Sequence, residues 1–268
     1  HPGGLVISPA GEVIIADGAN HRVQVFRMNG QFVRAFGSLG SEVGQLYRPR
    51  DVCVSKDNTF LVADTFNNRV QIFNNDGSLL SVIGEPGSEP GQFCEPSGVA
   101  IMKDGSIVVA DSKNHRIQIF NSDGIYQSNF GSKGTLPTLF NEPRGVAVDS
   151  QDNIIVSDTY NHRLQIFNSQ GQFLNHLGAL GDHPGRFRNP RKVAVGPNDD
   201  IVVADKLNHR IQVFRADLSF VTEIGVKGDL PGQLQGPVGV AVSPKGKIVV
   251  TEFDNDRVQV FGAVNART

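Results

Sequence analysis

The chain has 268 residues, of which 39% are hydrophobic and 19% are charged, proportions typical of a globular protein. Its 25 basic and 27 acidic residues give a net charge of −2, without the positive excess that is common among nucleic-acid-binding domains. No apolar run approaches the ~20 residues that a membrane helix requires, so we expect no membrane association.

Cysteine usage and glycosylation signals bear on the compartment. Cys53 lies in a Val-Cys-Val segment and Cys94 in a predicted loop, and they form neither a disulfide framework nor a CxxC pair. The sequence also has no Asn-x-Ser/Thr glycosylation acceptor. Both observations favour a cytoplasmic location.

The motif Asn-x-Arg-[Val/Ile/Leu]-Gln-[Val/Ile]-Phe occurs six times at a constant interval of 47 residues. Its copies begin at Asn20, Asn67, Asn114, Asn161, Asn208 and Asn255. A spacing held without insertion or deletion indicates one supersecondary unit laid down six times. Because each unit of a repeat array buries its apolar faces against its neighbours, we predict a single domain over residues 1–268.

Four short strands are predicted in each copy. In the second copy they cover 51–55, 60–64, 69–73 and 79–84, and polar turns such as 75–77 separate them. Val, Ile and Phe dominate these segments, and an Asp-Gly or Asn-Gly pair between the third and fourth strands is typical of a hairpin. No 3.6-residue periodicity persists for long enough to predict a helix.

The second strand of each copy, such as 13–16 or 107–110, is apolar on both faces and must therefore lie between neighbouring sheets. Four-stranded antiparallel sheets repeated radially are the blades of a β-propeller, so the sequence predicts an all-β, six-bladed propeller. Helical repeat arrays have similar repeat lengths, but these units are not helical. The sixth copy stops at Thr268, where its outermost strand should start. We therefore expect the last blade to lack that strand, with the closing strand upstream of residue 1 or undefined.

The repeated Asn-His-Arg-x-Gln-x-Phe string is preceded by Ala-Asp and followed by Asp-Gly, Phe-Gly and Gly-Gln-Phe-x-x-Pro-x-Gly-Val. This pattern resembles the NHL repeat over essentially the whole chain, and it is most similar to the C-terminal propeller of tripartite-motif NHL (TRIM-NHL) proteins. The resemblance implies a recognition domain of a RING-type E3 ubiquitin ligase, with the ligase chemistry outside this chain. It also implies single-stranded or stem-loop RNA as an alternative ligand.

The histidines do not suggest a catalytic or metal site. His21, His115, His162 and His209 occupy equivalent places in four repeats, which indicates a structural role. The other three histidines, His1, His176 and His183, do not pair with carboxylates at metal-ligand spacing. We therefore predict no metal, no cofactor and no catalytic residue. Some NHL-like propellers are lyases or metal-dependent hydrolases, but the non-repeating ligands that such an enzyme needs are missing from this sequence.

An acidic residue precedes each motif and an arginine lies within it. A carboxylate at the end of one strand and an arginine at the start of the next can form a charge-assisted bridge that holds the short loop between them. Because function rarely requires six identical copies, we interpret these residues as scaffold. They are Asp17, Arg22, Asp64, Arg69, Asp111, Arg116, Asp158, Arg163, Asp205, Arg210, Glu252 and Arg257.

Functional information is expected where the copies differ. In propellers, the loop that leads into each innermost strand and the loop that joins the second and third strands share one face, commonly the binding face. Residues 85–98 carry three glutamates on this face, whereas residues 179–192 carry four cations against one aspartate. The predicted ligand-binding residues are Arg50, Lys113, Arg144, Arg186, Arg188, Arg191, Lys192, Lys206, Phe66 and Tyr160.

Three of these arginines, Arg50, Arg144 and Arg191, follow the loop prolines and should converge at the channel mouth, beside the exposed rings of Phe66 and Tyr160. Basic and aromatic side chains together can neutralise phosphates and stack bases, and they also form hot spots of protein interfaces. The near-neutral charge and the glutamates favour a module that recruits proteins, whereas the basic and aromatic arc favours RNA. The expected partners are ubiquitination substrates or RNA, and the domain is expected to be monomeric within a parent protein that can oligomerise.

Overall fold

The computed structural model describes residues 1–263, which form 23 strands in six sheets. The first three sheets comprise β1 (Leu5–Ile7), β2 (Glu12–Asp17), β3 (Arg22–Arg27), β4 (Phe32–Phe36), β5 (Asp51–Val54), β6 (Phe60–Asp64), β7 (Arg69–Phe73), β8 (Leu79–Ile83), β9 (Pro96–Ile101), β10 (Ile107–Asp111), β11 (Arg116–Phe120) and β12 (Tyr126–Phe130). The other three comprise β13 (Pro143–Val148), β14 (Ile154–Asp158), β15 (Arg163–Phe167), β16 (Phe173–Leu177), β17 (Pro190–Val195), β18 (Ile201–Asp205), β19 (Arg210–Phe214), β20 (Phe220–Ile224), β21 (Pro237–Val242), β22 (Lys247–Glu252) and β23 (Arg257–Ala263).

Each sheet is an antiparallel meander in which strands pair in chain order, and each is one blade of a propeller. The first strands of neighbouring blades pack side by side around a central channel. The prediction of an all-β, six-bladed propeller is therefore confirmed.

Helical structure in the described residues is limited to short 3₁₀ turns after the second strands of blades one to five. They cover Gly18–Asn20, Thr65–Asn67, Ser112–Asn114, Thr159–Asn161 and Lys206–Asn208. No helix in residues 1–263 is both long and apolar enough to cross a membrane.

The core is divided into six apolar clusters, each between two neighbouring blades. Between blades two and three, Ala63, Phe93, Val99 and Phe120 are buried together. The second strands of blades two to five are buried along their whole length, as their two-sided apolar pattern predicts. Full burial of one Val or Phe contributes about 1.5–3 kcal/mol. A few buried side chains are therefore enough to stabilise each contact between blades.

Blade six has three strands among the described residues, which confirms that its fourth strand is missing from this part of the chain. The position where the outermost strand should start, at the end of the chain, lies outside residues 1–263. With no strand of residues 1–263 on the outer side of β23, its Val258 and Val260 are 37% and 48% exposed. A closing strand contributed from upstream of residue 1 stays a prediction.

Blades six and one join directly. The hydroxyl of Thr251 donates a hydrogen bond to the carbonyl of Gly3 at 2.6 Å, and the His1 ring stacks on Phe253 with 4.3 Å between ring centroids. The apolar cluster at this junction has five buried members, Leu5, Val13, Ile15, Ala241 and Val249. The ring of blades is therefore closed by packing within the described residues.

Candidate binding site on the loop face

The repeated motif forms a bracket of hydrogen bonds around a buried carboxylate. In blade two, Oδ2 of Asp64 accepts hydrogen bonds from Asn67 Nδ2 at 2.8 Å, Arg69 Nε at 2.8 Å and Gln71 Nε2 at 3.0 Å. The same three donors meet the acidic residue in the other five blades, with Glu252 in place of aspartate in blade six. Bridges between the acidic residue and the arginine are present in all six repeats, with N–O distances of 2.6 to 3.0 Å.

The bracket also fixes the interblade loop, which we define as the loop from the outermost strand of one blade to the innermost strand of the next. Oδ1 of Asp64 accepts a hydrogen bond from the backbone N–H of Tyr47 at 2.6 Å. Arg69 Nη2 and Gln71 Nε2 both donate to the carbonyl of Gln45, at 2.9 and 2.6 Å. Because the loop is held by charged and buried groups, it forms a rigid base for the side chains that it presents.

Interblade loops share one face with the intrablade loops, which join the second and third strands of each blade. The backbone N–H of Phe66 donates to the carbonyl of Tyr47 at 3.1 Å, and that of Lys113 donates to Cys94 at 3.0 Å. We call this face the top face. The hairpin turns between the other strands lie on the opposite face.

A cavity of 280 Å³ lies at the centre of the top face, and every blade contributes to its wall. Six cationic side chains and one carboxylate line it. The cations are Arg48, Arg50, Arg144, Arg191, Lys192 and Lys206, and the carboxylate is Asp51. The structure thus brings together the three arginines that were expected to converge. A concave site with this excess of positive charge attracts anions.

One ion pair crosses the channel. Nζ of Lys192 on β17 donates a hydrogen bond to Oδ2 of Asp51 on β5, and these strands belong to opposite blades, five and two. Burial raises the pKa of Asp51, and the charge of Lys192 opposes that shift. The structure therefore places Lys192, a predicted ligand-binding residue, against a carboxylate of this chain.

Two of the converging arginines are paired with glutamates. Arg50 Nη1 lies 3.1 Å from Glu95 Oε2, and Arg144 Nη2 lies 2.7 Å from Glu142 Oε2. Burial, followed by repulsion from Arg144, lowers the pKa of Arg50. The glutamates thus neutralise part of the positive charge on one side of the cavity.

Arg191 and Lys206 form no salt bridge with any residue in 1–263, and the buried Nε of Arg191 has no hydrogen-bond partner there. Burial lowers the pKa of Arg191 to about 9, and the charge of Arg144 adds to the effect. Burial also lowers the pKa of Lys206, which is repelled by Arg191. Asp254 attracts Lys206 and Glu142 attracts Arg191, but neither forms a salt bridge with them, so blade five presents partly desolvated positive charge that an additional anion would stabilise.

The ring of Phe66 was expected to be exposed, but it is half-buried. The guanidinium carbons of Arg50 and Arg48 lie 5.3 and 5.9 Å from its centroid, and the Tyr47 ring packs at 5.4 Å. The difference arises because the neighbouring interblade loop folds over this ring. Its surface is already occupied by side chains of this chain.

Two other aromatic rings of the top face also contact cations. The guanidinium carbon of Arg144 lies 5.7 Å from the centroid of Tyr160, which is 39% exposed. Lys206 Nζ lies 4.6 Å from the centroid of Phe253. Such contacts contribute about 0.5–2 kcal/mol each and hold the cations at the cavity rim.

The remaining predicted ligand residues lie outside the cavity wall. Arg186 and Arg188 are exposed on the interblade loop that leads into β17, and Arg186 Nη1 donates to the carbonyl of Leu180 at 3.2 Å. Lys113 pairs with Glu142 at 2.6 Å. The predicted set therefore divides into a central group and a peripheral group on the same face.

The predicted set lacked twelve of the wall residues, and the charged or aromatic side chains among them include Arg48, Asp51 and Phe253. The position of Asp51 is glycine in four repeats, at Gly4, Gly98, Gly145 and Gly239, and lysine in the fifth repeat. A comparison of the repeats at this position would have identified the charged pair. The position of Arg48 carries a weaker signal, because only Glu95 and Glu142 agree there. The position of Phe253 is a hydroxyl residue in three repeats, at Thr65, Ser112 and Thr159, and departs from that pattern in blades one, five and six.

Hydroxyl groups between blades were also missed. Thr65 Oγ1 donates to the carbonyl of Pro96 at 2.7 Å, and Thr159 Oγ1 donates to Pro190 at 2.8 Å. In blades five and six, Lys206 and Phe253 occupy the equivalent position. At this position, blades two to four have a hydroxyl that bonds to the next blade, whereas blades five and six have a side chain that lines the cavity.

Potential metal ligands are scattered. No three His, Cys, Asp or Glu side chains in residues 1–263 are grouped so that they could hold a metal ion. The thiols of Cys53 and Cys94 are free, the first buried and the second half-buried.

Comparison with protein families gives a match over most of the chain. The sequence model of the NHL repeat matches residues 1–26, 46–73, 93–120, 140–167, 187–214 and 234–261. Each of the six matched segments ends with the Phe of the motif. The matches thus follow the six blades.

A curated relative and two solved structures are similar to the chain. Protein brain tumor from Drosophila melanogaster is 35% identical over 57 residues, which are 21% of this chain and 6% of that protein, so the chain aligns with a small part of it. Virginiamycin B lyase from Staphylococcus aureus is 15% identical, with a TM-score of 0.66 over 95% of this chain and 78% of that one. A Bacteroides thetaiotaomicron protein of unknown function is 15% identical, with a TM-score of 0.75 over 97% of this chain and 68% of that one. At these identities, the structural similarity shows the fold alone.

Proposed function

The chain belongs to the NHL-repeat family, and we propose that its propeller is a non-catalytic recognition module that recruits a protein partner on the top face. The observation that carries this proposal is the cationic cavity, whose wall differs from blade to blade although the scaffold repeats. Concave sites with a few convergent polar groups are the usual place for specific recognition. Through the resemblance to TRIM-NHL proteins, we extend the proposal to substrate recruitment for a RING-type ubiquitin ligase in the cytoplasm.

Exposed apolar side chains in the interblade loops of the top face support a protein partner. Six such side chains in the interblade loops are 55% to 67% exposed: Leu39, Val43, Leu136, Leu180, Val226 and Leu230. Apolar groups on a polar face contribute to protein interfaces, where they surround a few anchoring side chains. These apolar side chains would contribute little to the binding of a ligand that is held through its phosphates.

The aromatic rings also favour a protein over RNA. Stacking of bases requires accessible ring faces, but Phe66, Tyr160 and Phe253 already contact cations of this chain. Glu95 and Glu142 lie beside the arginines and would repel a polyphosphate backbone.

RNA binding is a second candidate because of the cations in blade five. Arg188 is exposed on the top face, and Arg191 and Lys206 have no carboxylate partner in residues 1–263. Cations without a salt bridge can bind phosphates, and binding through several phosphates weakens steeply with salt.

Affinity capture with two matched double variants tests the proposal. Arg188→Glu with Lys206→Glu reverses charge on the top face, whereas Arg215→Glu with Lys245→Glu reverses two exposed charges in turns of the opposite face. We expect proteins enriched by the wild-type domain to be depleted at least about tenfold with the top-face variant, a loss of about 1.4 kcal/mol or more, and retained with the control. Quantitative mass spectrometry provides the measurement.

Fluorescence anisotropy with a randomised short single-stranded RNA pool, at low and physiological salt, separates the two candidates. Salt-sensitive RNA binding that only the top-face variant loses, without protein enrichment, would replace the protein partner by RNA. Equal protein capture by both double variants would contradict recognition through the top face.

A further inference from the structure

The blade-five side of the cavity contains two cations, Arg191 and Lys206, that form no salt bridge within residues 1–263. Resting on the proposed function, we propose that this cavity binds one oxyanion, a carboxylate or phosphoryl group on a side chain of the recruited protein. Arg191 and Lys206 are its ligands. The side chain of the partner that enters the cavity would therefore be acidic or phosphorylated.

Most of the carboxylates near the cavity are paired with cations of the same chain. Asp51 engages Lys192, Glu95 engages Arg50, and Glu142 engages Arg144 and Lys113. These carboxylates are therefore each paired with a cation of this chain, although the buried Oδ1 of Asp51 has no hydrogen-bond partner in residues 1–263. Three positive groups of the wall, Arg48, Arg191 and Lys206, have neither a salt bridge nor a side-chain hydrogen bond in residues 1–263. Arg48 is exposed and lies over the Phe66 ring, whereas Arg191 and Lys206 are the two that belong to blade five.

Two guanidinium groups of the cavity wall each have a buried Nε that forms no hydrogen bond in residues 1–263. Nε of Arg191 and Nε of Arg144 are both buried without a hydrogen-bond partner among the described residues. Buried donors are normally satisfied, and a guanidinium satisfies a carboxylate or a phosphate with two parallel hydrogen bonds. Two adjacent guanidinium groups with such donors fit an oxyanion better than a neutral polar group.

The surroundings of these donors limit the ligand to a single charged group. Phe253 and Val238 line the same cavity and reduce its contact with water, which strengthens an ion pair formed inside. Glu95 and Glu142 are paired with arginines of blades two and four, and their charge would repel the next phosphate of a nucleic acid. One anion on a protein side chain avoids that repulsion.

Calorimetric titration with inorganic phosphate, at an ionic strength held constant with sodium chloride, tests this inference on the whole domain. We expect saturable binding to the wild type that weakens at least about tenfold in Arg191→Gln. Lys206→Gln should weaken it by a smaller factor. Arg215→Gln, which removes an exposed arginine on the opposite face, should leave it unchanged.

Lys206→Gln decides the outcome on its own if Arg191→Gln does not fold, because the ammonium group has no hydrogen bond in residues 1–263 to lose. A parallel titration with acetate separates the two sources, since tighter acetate binding identifies a carboxylate and tighter phosphate binding a phosphoryl group. An octamer of uridylate that binds far more tightly than phosphate would overturn the inference in favour of RNA.

Absence of saturable binding, or equal phosphate binding by Arg191→Gln, Lys206→Gln and Arg215→Gln, would also overturn the inference. The proposed function fails separately. If the top-face variant still loses captured proteins while phosphate does not bind, recruitment on the top face stands and only the oxyanion anchor is wrong.

Discussion

The second residue of each motif adopts a left-handed backbone conformation, with φ between 50° and 57°. Histidine, asparagine and aspartate occupy it, and these residue types tolerate that conformation better than most. Nδ1 of His115 accepts a hydrogen bond from the backbone N–H of Glu142 in the next interblade loop at 3.1 Å. In blade two, Oδ1 of Asn68 accepts the corresponding bond from Glu95 at 2.8 Å. The repeat histidines therefore act as hydrogen-bond acceptors between blades.

Acid should weaken this contact where the acceptor is histidine. Burial is the main cause that lowers the pKa of His115, His162 and His209 below the ordinary 6.5. The unfolded chain therefore binds more protons, so this stabilisation is complete above about pH 6.5 and is lost as the pH falls through the lowered folded pKa. The triple variant to asparagine, the residue that blade two uses, should flatten the decline of the melting temperature between pH 7 and pH 5.

Differential scanning fluorimetry at several pH values checks this expectation. His176→Asn, at an exposed histidine on β16, serves as the control and should leave the slope unchanged. Parallel curves for the triple variant and the wild type would show that the repeat histidines do not carry the pH dependence.

At the scale of the blade, the bracket explains why the motif contains Asn, Arg and Gln as well as the acidic residue. All three side chains donate to one carboxylate and also reach the interblade loop, so a single buried charge orders two loops. Burial raises the pKa of Asp158, and its hydrogen bonds, including that from Arg163, oppose the shift. Removing the charge would leave the arginine without its partner inside the blade.

Asp158→Asn should therefore lower the free energy of unfolding by about 3 kcal/mol, because it breaks a buried ion pair from one side. Asp17→Asn in blade one provides a matched comparison, since Arg22 is 41% exposed whereas Arg163 is 11% exposed. We expect a loss of about 1 kcal/mol or less there. Denaturant unfolding gives both values, and equal losses would show that burial of the bracket does not determine its contribution.

Across the whole molecule, the sequence predicts local structure far better than contacts between distant blades. The second copy was predicted to form strands at 51–55 and 60–64, and the structure has Asp51–Val54 and Phe60–Asp64, because strand and turn signals recur in every repeat. The pair between Asp51 and Lys192 joins residues 141 positions apart. The fixed interval placed both on inner strands, but their contact depends on side-chain reach across the channel.

The half-burial of Phe66 has a similar cause, since it depends on how Tyr47 and Arg48 pack over the ring. Nothing in the spacing of the repeats specifies that packing. The alignment of the copies could thus identify candidate residues on the top face. Which of their cations form salt bridges could be learned only from the three-dimensional positions of the side chains.

The ion pair across the channel connects blades two and five, so it should contribute to the stability of the complete ring. Lys192→Met leaves a buried carboxylate without its partner and should cost about 3 kcal/mol. Adding Asp51→Asn should restore most of that loss, because both charges are then absent. Chemical unfolding of the two single variants and the double variant gives the coupling. If the losses simply add, the pair does not brace the ring.

Hydrogen–deuterium exchange of the domain with and without a captured partner tests the central claim most directly, namely that the partner binds over the cavity of the top face. The account predicts protection concentrated in the interblade and intrablade loops around the cavity, particularly residues 47–51, 158–162 and 205–209. Protection confined to the opposite-face turns or to the open edge of β23 would contradict it and would place recognition outside the cavity.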